Sequence, residues 1–438
     1  MGGVQKLRGG QLLARALREK EIRHVFTLAG GFCNPALEGF MDCQIPVINC
    51  PHEQVAGHLA DGHARISRKP TVCLVGPEGF SNAVPAMMEA WGERSPVIFI
   101  TGSSTKKREG AGGFKEIDDV AVAKPLTKYS VSITDGTRIK EFVDRAWKIA
   151  VNGYPGPVHL SLPVDIMFAS FEENAASEER PFESTPIRVP KAWPEPDALN
   201  RVIQIIKRSK NPIFIGGHGV WWSKNEEKLG RAGEQLNIPI FNIPYHQKLL
   251  NETCEAYMGL ADIHQYAPSK FALHSSDCII MLGCRLDNQM NFGNPPLIPR
   301  QTKLICINGS DEEISFNRSA DELLLSDPGA FLEALIENFV SSNWAVDKNW
   351  MKKNIEAREE WVNTTLEELE QETSTIEWSG GIIHPLKLSL DVQAAMTDGD
   401  WLVFDGGNTH FWSEIAVNIA SRKGRTFGGI LHPGSYSL

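Results

Sequence analysis

The residues best suited to chemistry lie in one predicted helix, where an acidic residue precedes a row of small side chains. Glu53 opens this segment, and Ala56, Ala60 and Ala64 follow at a spacing of four. Residues at that spacing share one face of a helix, and a face of alanines lets a second backbone approach closely. Glu53 would therefore stand at the edge of a tightly packed contact. The structural alternative is an acid that stabilises the helix dipole.

A glycine turn near the end of the sequence could bind phosphate. Gly406 and Gly407 follow a predicted strand, and Asn408 and Thr409 open the next predicted helix. Glycines let backbone amides reach phosphate oxygens, and a helix N-terminus favours negative charge. Taken alone, the turn is also an ordinary connection of a parallel sheet.

The composition limits the class of protein and its partners. The 438 residues are 42% hydrophobic and 22% charged, which predicts a globular protein of two to three domains. The net charge of −10 argues against nucleic acid as a partner. No apolar run approaches the roughly 20 residues that span a bilayer, and the first ten residues lack the apolar core of a signal peptide. The eight cysteines show no CxxC pairing. We therefore expect a cytoplasmic protein with buried, reduced thiols and no membrane partner.

Short apolar runs alternate with amphipathic stretches, as in parallel α/β units. The first region is predicted to contain helices and strands at Gln11–Lys20, His24–Leu28, Pro46–Cys50, Glu53–Ile66, Thr71–Val75, Phe80–Trp91, Val97–Thr101, Arg138–Val151 and Pro157–Pro163. Strands such as Val97–Thr101 are apolar on both faces, which is typical of a sheet covered by helices on both sides. The stretch Phe171–Pro190 has little periodicity and is interpreted as a linker.

Two further α/β sets follow this linker. The second set has predicted strands at Pro212–Gly216, Pro239–Asn242, Cys278–Gly283 and Lys303–Ile307, and a helix near Pro328–Phe339. The charged stretch Asp347–Glu372 is predicted to be a solvated connecting helix. The third set begins with a helix at Pro385–Met396 and a strand at Trp401–Phe404. The predicted fold is α/β with three doubly wound parallel-sheet domains, at 1–168, 190–342 and, incomplete, 381–438.

Several segments resemble, in the right order, the thiamine diphosphate enzymes of the branch that contains acetolactate synthase. In chain order they are Ala29-Gly30-Gly31, the Glu53 helix, Gly76-Pro77-Glu78-Gly79-Phe80-Ser81-Asn82, Phe114-Lys115-Glu116, Lys124-Pro125-Leu126-Thr127-Lys128 and the segment from Gly156 to Asp165. The family has Gly-Pro-Gly-x-x-Asn where this sequence has Gly76 to Asn82, and Phe-Gln-Glu where it has Phe114-Lys115-Glu116. Any one segment could be an ordinary loop of a parallel sheet, and the resemblance depends on their order.

The resemblance implies a role for each matching residue. Glu53 would be the catalytic glutamate that hydrogen-bonds the aminopyrimidine ring of thiamine diphosphate and activates it. The cofactor-binding residues would be Gly30, Gly76, Pro77, Asn82, Gly407, Asn408, Thr409, Ser435 and Tyr436. The substrate would meet Gly31, Phe32, Phe114 and Lys115. Two of these residues depart from the family pattern. The family has a large apolar residue at the position of Tyr436 and a glutamine at that of Lys115.

The metal site of the family has no counterpart in the sequence. The family binds Mg²⁺ through Gly-Asp-Gly and a later Asn, and the sequence contains no Gly-Asp-Gly. We expect these ligands beyond Leu438, so that this chain holds no metal ligand, is truncated and is inactive alone. The central domain can hold flavin or nucleotide in relatives. Here Asn308-Gly309-Ser310 replaces the acidic start of the family's motif, and we favour a central domain that binds neither FAD nor nucleotide.

The resemblance implies formation or cleavage of a C–C bond next to a carbonyl. The substrate would be a 2-keto acid or a 2-hydroxyacyl compound, and the enzyme a synthase, lyase or decarboxylase. The family's cofactor lies between two subunits, which implies a dimer or tetramer. One alternative is a catalytically inactive relative that serves as a regulatory or assembly subunit. Another is a nucleotide-binding α/β protein that uses the turn Gly216–Val220, although this turn lacks GxGxxG spacing.

Overall fold

The chain divides into two compact units, Met1–Pro190 and Lys191–Ser435. The structure, a computed structural model, describes residues 6–172, 191–243, 250, 253–261, 266–314, 317–340, 344–375, 383–397, 399–403, 406–420 and 429–431. Each unit contains a six-stranded parallel sheet with helices, which confirms the α/β class. The three-domain boundaries stay a prediction. No helix in these ranges is both long and apolar enough to cross a bilayer.

The first unit is built from short strands and the helices that connect them. Its strands are β1 (Lys6–Arg8), β2 (Val25–Thr27), β3 (Val47–Asn49), β4 (Thr71–Val75), β5 (Val97–Ser103), β6 (Ser130–Ser132), β7 (Val158–Pro163) and β8 (Ser170–Glu172). Its helices are α1 (Gly9–Glu19), α2 (Asn34–Asp42), α3 (Glu53–Ser67), α4 (Pro77–Gly92), α5 (Asp119–Ala123), α6 (Ile139–Val151) and α7 (Val164–Phe168).

The order of the strands fixes where this unit can bind a ligand. The parallel sheet runs β3-β2-β4-β5-β7-β6. The chain goes from β2 to β3 on one side and returns to β4 on the other, so the order reverses between β2 and β4. Doubly wound sheets bind ligands at the carboxyl ends of strands at such a reversal. The turns that follow β2 and β4 are Gly30–Gly31 and Gly76–Gly79.

The close contact expected at the alanine face is present between α3 and α4. Ala56, Ala60 and Ala64 are fully buried. A Cβ added to Gly57 would lie 2.5 Å from the Cβ of Ala86 on α4, so glycine is needed for the two helices to approach. The alanine face is buried as the spacing predicts, the closest approach to α4 is at Gly57, and Gly79 near the start of α4 lies beside Glu53.

The start of the predicted linker is wrong by two residues. Ser170–Glu172 forms β8, which pairs antiparallel with β1. A Cβ added to Gly136 would lie 2.1 Å from the ring of Phe171. This close contact holds the segment against the first unit. The remaining linker residues, 173–190, lie outside the described ranges.

The second unit repeats the α/β arrangement. Its strands are β9 (Pro212–Gly216), β10 (Ile240–Asn242), β11 (Tyr257–Leu260), β12 (Cys278–Leu282), β13 (Lys303–Asn308), β14 (Glu322–Leu325), β15 (Trp401–Val403) and β16 (Gly429–Leu431). Its helices are α8 (Pro196–Arg208), α9 (His218–Trp222), α10 (Glu226–Leu236), α11 (Ala267–Ser275), α12 (Pro328–Val340), α13 (Lys348–Thr375), α14 (Pro385–Ala395) and α15 (Asn408–Ala420). The parallel sheet has the order β11-β10-β9-β12-β13-β14, and β15 pairs parallel with β16.

Helix α13 is more than the solvated connection that its charges predict. Trp350 is buried and donates from Nε1 to the carbonyl of Pro212 at 2.9 Å, at the start of β9. Val362, farther along α13, is buried in a small apolar cluster with residues of α14 and α15. One face of the helix is therefore part of the core. The sequence did not predict this, because the few apolar residues of α13 are scattered among many charged ones.

Candidate active site

Glu53 is buried at the first turn of α3 and is held by a residue of α4. Only 7% of Glu53 is exposed. Nδ2 of Asn82 donates to Oε2 of Glu53 at 3.0 Å. The N-terminus of α3 is capped by His52 instead, whose Nδ1 accepts from the amide of Gln54 at 3.2 Å. Glu53 is therefore not simply an acid on a helix dipole, since its carboxylate is positioned by a neighbouring helix.

The glycine at position 79 makes room for this carboxylate. A Cβ on Gly79 would lie 2.4 Å from Cγ and 2.6 Å from Oε1 of Glu53. Real Cβ atoms do not approach other atoms this closely, so only glycine leaves Glu53 where it is. Gly79 lies in the segment Gly76–Asn82, and no separate role was predicted for it. The structure shows that a glycine is needed at position 79 because Glu53, on the neighbouring helix, occupies the space that a side chain would take.

The predicted cofactor residues of this unit gather at the reversal of strand order. Gly30 ends the turn after β2, Gly76 follows β4, and Pro77 is the first residue of α4, where its fixed φ suits a helix start. Asn82 lies inside α4, as the predicted helix Phe80–Trp91 requires. Together with Glu53 these residues form one site at the carboxyl edge of the sheet.

Glu78 is an additional carboxylate at this site. Its Oε2 lies 3.1 Å from the position of a Cβ on Gly76, and its Oε1 lies 3.9 Å from that of a Cβ on Gly30. Burial, together with the nearby negative charge of Glu78, raises the pKa of the Cys33 thiol to about 12. The segment Gly76–Asn82 is one residue longer than the family pattern Gly-Pro-Gly-x-x-Asn. This extra residue is the feature of the sequence that could have indicated a role for Glu78.

The predicted substrate residues are joined by a stack of rings. Gly31 follows Gly30 and leads into Phe32, whose ring stacks on that of Phe114 with centroids 5.8 Å apart. Nζ of Lys115 lies 6.0 Å from the centroid of Phe114. Two segments that are about 80 residues apart in the sequence are thus brought together, as the resemblance requires.

Lys115 does not pair with the acids that surround it in sequence. The carboxylate of Glu116 accepts from the amides of Gly110 and Gly113. Asp118 caps α5 by accepting from the amide of Ala121 at 2.9 Å, and Asp119 is buried. Among the residues that the structure describes, no ion pair of Lys115 is found. The alternative of a simple surface pair with these acids is therefore not observed.

A buried polar layer supports this site from beneath. The imidazole of His159, on β7, is fully buried and lies 2.9 Å from both Thr101 Oγ1 and Ser130 Oγ. Its ring packs on Phe80 of α4 with centroids 5.3 Å apart. Burial lowers the pKa of His159 to about 3, so the imidazole is neutral. Burial raises the pKa of Asp119, whose Oδ2 is 3.9 Å from His159 Nε2, to about 6. We assign this layer a structural role.

Behind the alanine face, α3 and α4 share a buried ion-pair cluster. The Arg65 guanidinium lies 2.6 Å from carboxylate oxygens of both Asp61 and Glu89, and 3.4 Å from Glu93. The acids raise the pKa of Arg65 although burial opposes its charge. Burial also raises the pKa of Glu89 to about 7, against the effect of Arg65. Losing one partner would leave a buried charge uncompensated, which is strongly destabilising. The cluster therefore holds α4 in register with Glu53.

The turn predicted to bind phosphate belongs to the second unit. Gly407 has a φ of +71°, and a Cβ there would meet nothing within 4 Å. Asn408 and Thr409 are exposed in the first turn of α15. An open glycine turn before a helix fits a phosphate group. Ser435 and Tyr436 lie outside the described residues, and their roles stay predictions.

The glycines of the central turn have a packing role. The amide of Gly219 donates to the carbonyl of Gly283 at 2.9 Å, and a Cβ on Gly219 would lie 2.6 Å from the Cα of Gly283. The amide of Gly217 donates to Leu282 at 3.0 Å. Two turns thus pack backbone to backbone and use amides that a phosphate would need. All eight cysteines are free, and burial raises the pKa of Cys278, like that of Cys33, to about 12.

The described residues fit the pyrimidine half of thiamine diphosphate. Asn82 holds Oε2 of Glu53, and Oε1, which lies beside Gly79, is left to accept from a protonated ring nitrogen. A Cβ on Gly31 would meet nothing within 4 Å. The described ranges contain no group of three His, Cys, Asp or Glu side chains arranged to hold a metal ion.

Comparison with known proteins finds matches over both units. The family described as "Thiamine pyrophosphate enzyme, N-terminal TPP binding domain" matches residues 7–122, and "Thiamine pyrophosphate enzyme, central domain" matches residues 199–335. The chain is 26% identical over 398 residues to a probable acetolactate synthase large subunit of Methanococcus aeolicus, covering 90% of this chain and 65% of that protein.

Of two other relatives, one carries the same name and one a different name. A probable acetolactate synthase large subunit of Methanocaldococcus jannaschii is 28% identical over 357 residues, which cover 80% of this chain and 59% of that protein. The human 2-hydroxyacyl-CoA lyase 2 is 26% identical over 437 residues, which cover 91% of this chain and 66% of that protein. The chain thus spans less than two thirds of the length of these relatives.

Proposed function

The chain belongs to the thiamine pyrophosphate enzymes, and on that basis we propose that its protein forms or cleaves a C–C bond next to a carbonyl group. The substrate class is a 2-keto acid or a 2-hydroxyacyl compound, since relatives are named as acetolactate synthases and as a 2-hydroxyacyl-CoA lyase. The cofactor is thiamine diphosphate with Mg²⁺. Assembly into a dimer or tetramer and a location in the cytoplasm are part of the same proposal.

The observation that carries this proposal is the placement of Glu53. Its buried carboxylate accepts a hydrogen bond from Asn82 at 3.0 Å. It lies beside Gly79, where any side chain would collide with it. A fixed hydrogen bond positions a carboxylate for acid–base work. The turn at Gly31 leaves space for a flat ring, since a Cβ there would meet nothing within 4 Å.

The residues of this chain have separate tasks in the proposed site. Glu53 would hold and exchange a proton with the ring nitrogen of the pyrimidine, and Asn82 would keep its carboxylate in place. Gly30, Gly76 and Pro77 would shape the turns against the ring, and Phe32, Phe114 and Lys115 would line the entry of the substrate. Gly407, Asn408 and Thr409 would bind the diphosphate. Thiamine diphosphate, when bound, supplies an electron sink for cleavage or formation of the bond.

The proposal is tested with the intact protein that contains this chain. Calorimetry with thiamine diphosphate, with and without Mg²⁺, measures cofactor binding. Release of CO₂ or aldehyde from 2-keto acids and 2-hydroxyacyl thioesters then measures activity. We expect binding that depends on Mg²⁺ and turnover that requires Glu53. Tight cofactor binding without turnover of any of these substrates would instead support the inactive, regulatory alternative.

A further inference from the structure

The extra carboxylate at the site, Glu78, is placed where it can contact a substrate. Glu78 is the second residue of α4 and is exposed. Its two oxygens lie over Gly76 and Gly30, at 3.1 and 3.9 Å from the positions that their Cβ atoms would take. These glycines follow β4 and β2, the strands between which the order of the sheet reverses. The carboxylate therefore covers the position at which ligands bind in such sheets.

Within the described part of the chain, no hydrogen bond or ion pair occupies the Glu78 carboxylate. The amides of Gly79 and Phe80 donate to the carbonyl of Gly76, both at 3.1 Å, and the cap residue Gly76 has no side chain to accept from them. An acid in the first turn is favoured by the helix dipole. That effect does not require the side chain to lean across to the turn after β2, as Glu78 does.

Glu78 and Glu53 differ in what each can do. Glu53 is buried and already bound by Asn82, on the inner side of the turn 76–79. Glu78 lies on the outer side of the same turn, and its oxygens are free to accept. A second anion placed close to an ionised carboxylate is repelled, whereas a hydroxyl group is attracted because it can donate a hydrogen bond.

We propose that Glu78 determines specificity by disfavouring an anionic group next to the reacting carbon and favouring a hydroxyl group there. Resting on the proposed function, this assigns the site to 2-hydroxyacyl or 2-hydroxy ketone substrates in preference to 2-keto acids. The ring stack from Phe32 to Phe114 leads from Gly30 towards Lys115. A substrate that is neutral at the reacting end and anionic at the far end suits both charges.

The test compares an anionic 2-keto acid, pyruvate, with a neutral 2-hydroxy ketone of similar size, acetoin. Dissociation constants are measured by calorimetry in the intact protein with thiamine diphosphate and Mg²⁺. The Glu53→Gln background blocks turnover, so that this measurement does not depend on activity. We expect the added Glu78→Gln change to shift the ratio of the two Kd values about 10-fold in favour of pyruvate, as removal of one nearby charge predicts. Glu38→Gln, which removes an exposed carboxylate on α2, is the matched control and should leave the ratio unchanged.

Two further measurements separate the outcomes. Glu78→Asp keeps the charge but withdraws it from Gly30, and an intermediate ratio is expected. In the protein with Glu53, kcat/KM for the same two substrates should follow the Kd ratio. If the protein turns over its substrates and Glu78→Gln leaves the ratio of the pyruvate and acetoin values unchanged, the specificity role of Glu78 is overturned. The proposed function would then still stand. Absence of turnover with any substrate in the unchanged protein would overturn the proposed function and this inference with it.

Discussion

Asn82 and Glu53 lie on two adjacent helices, and Nδ2 of Asn82 donates to Oε2 of Glu53 at 3.0 Å. The two helices reach this distance because Gly57 and Ala86 leave no bulk between them. The hydrogen bond fixes Oε2, and the other carboxylate oxygen, Oε1, lies beside Gly79. A residue predicted to bind the cofactor thus also positions the carboxylate of Glu53 in this structure.

Removal of this hydrogen bond should weaken catalysis without unfolding the protein. We expect Asn82→Ala to reduce kcat by about 10- to 100-fold, the worth of one hydrogen bond to a charged group. Because Asn82 is exposed, Tm should change little. Steady-state kinetics and thermal unfolding check this prediction. An unchanged kcat would show that Glu53 needs no support from Asn82.

The space at Gly79 should be equally critical. Gly79→Ala places a Cβ 2.4 Å from Cγ of Glu53, so Glu53 must move and kcat should fall by about 100-fold or more. Gly92→Ala, on the same helix, is the control, since its Cβ would meet nothing within 4 Å. Circular dichroism should show both variants folded. Equal activity of the two variants would contradict the steric argument.

Lys115 should select substrates with an additional anionic group. Its ammonium is not paired within the described residues, so it is available to a carboxylate, sulfonate or phosphate of the substrate. We expect Lys115→Gln to raise KM for such substrates by about 10-fold, with little effect on neutral ones. Lys107→Gln, in the same loop, serves as the control. Equal effects on charged and uncharged substrates would leave Lys115 as surface charge.

The buried carboxyl of Asp119 should make stability depend on pH. Burial raises its pKa from 3.8 to about 6, so the folded protein favours the protonated form. Its stabilising contribution is complete below pH 3.8 and is lost as pH rises through about 6. Asp119→Asn removes this loss, so its Tm relative to the unchanged protein should rise between pH 4 and pH 7. The gain corresponds to about 3 kcal/mol at most. A Tm difference that is independent of pH would contradict this argument.

The sequence predicted the main elements because their patterns are local. Thr71–Val75 and Pro212–Gly216 are observed with the predicted bounds, since a fully apolar run between breakers is typical of a buried parallel strand. Glu53 was found through its motif and the alanine spacing. The pair β1–β8 was missed because two three-residue strands far apart in sequence carry no periodicity.

The arrangement of side chains within the site was less accessible to prediction. The stack of Phe32 on Phe114 and the position of Glu78 over Gly30 depend on long-range packing. The role of Gly79 depends on the side chain of another helix. Motif order predicted which residues gather at the site, and only the fold shows which atoms are in contact.

The central claim is that Glu53 activates the cofactor, and proton exchange tests it most directly. The intact protein and its Glu53→Gln variant are loaded with thiamine diphosphate and Mg²⁺, and exchange of the thiazolium proton with D₂O is followed by NMR after acid quench. Glutamine keeps the shape and removes the proton acceptor. We predict that exchange slows by about 10²- to 10⁴-fold while cofactor affinity changes far less. Exchange at the rate of the unchanged protein would contradict the assignment of Glu53.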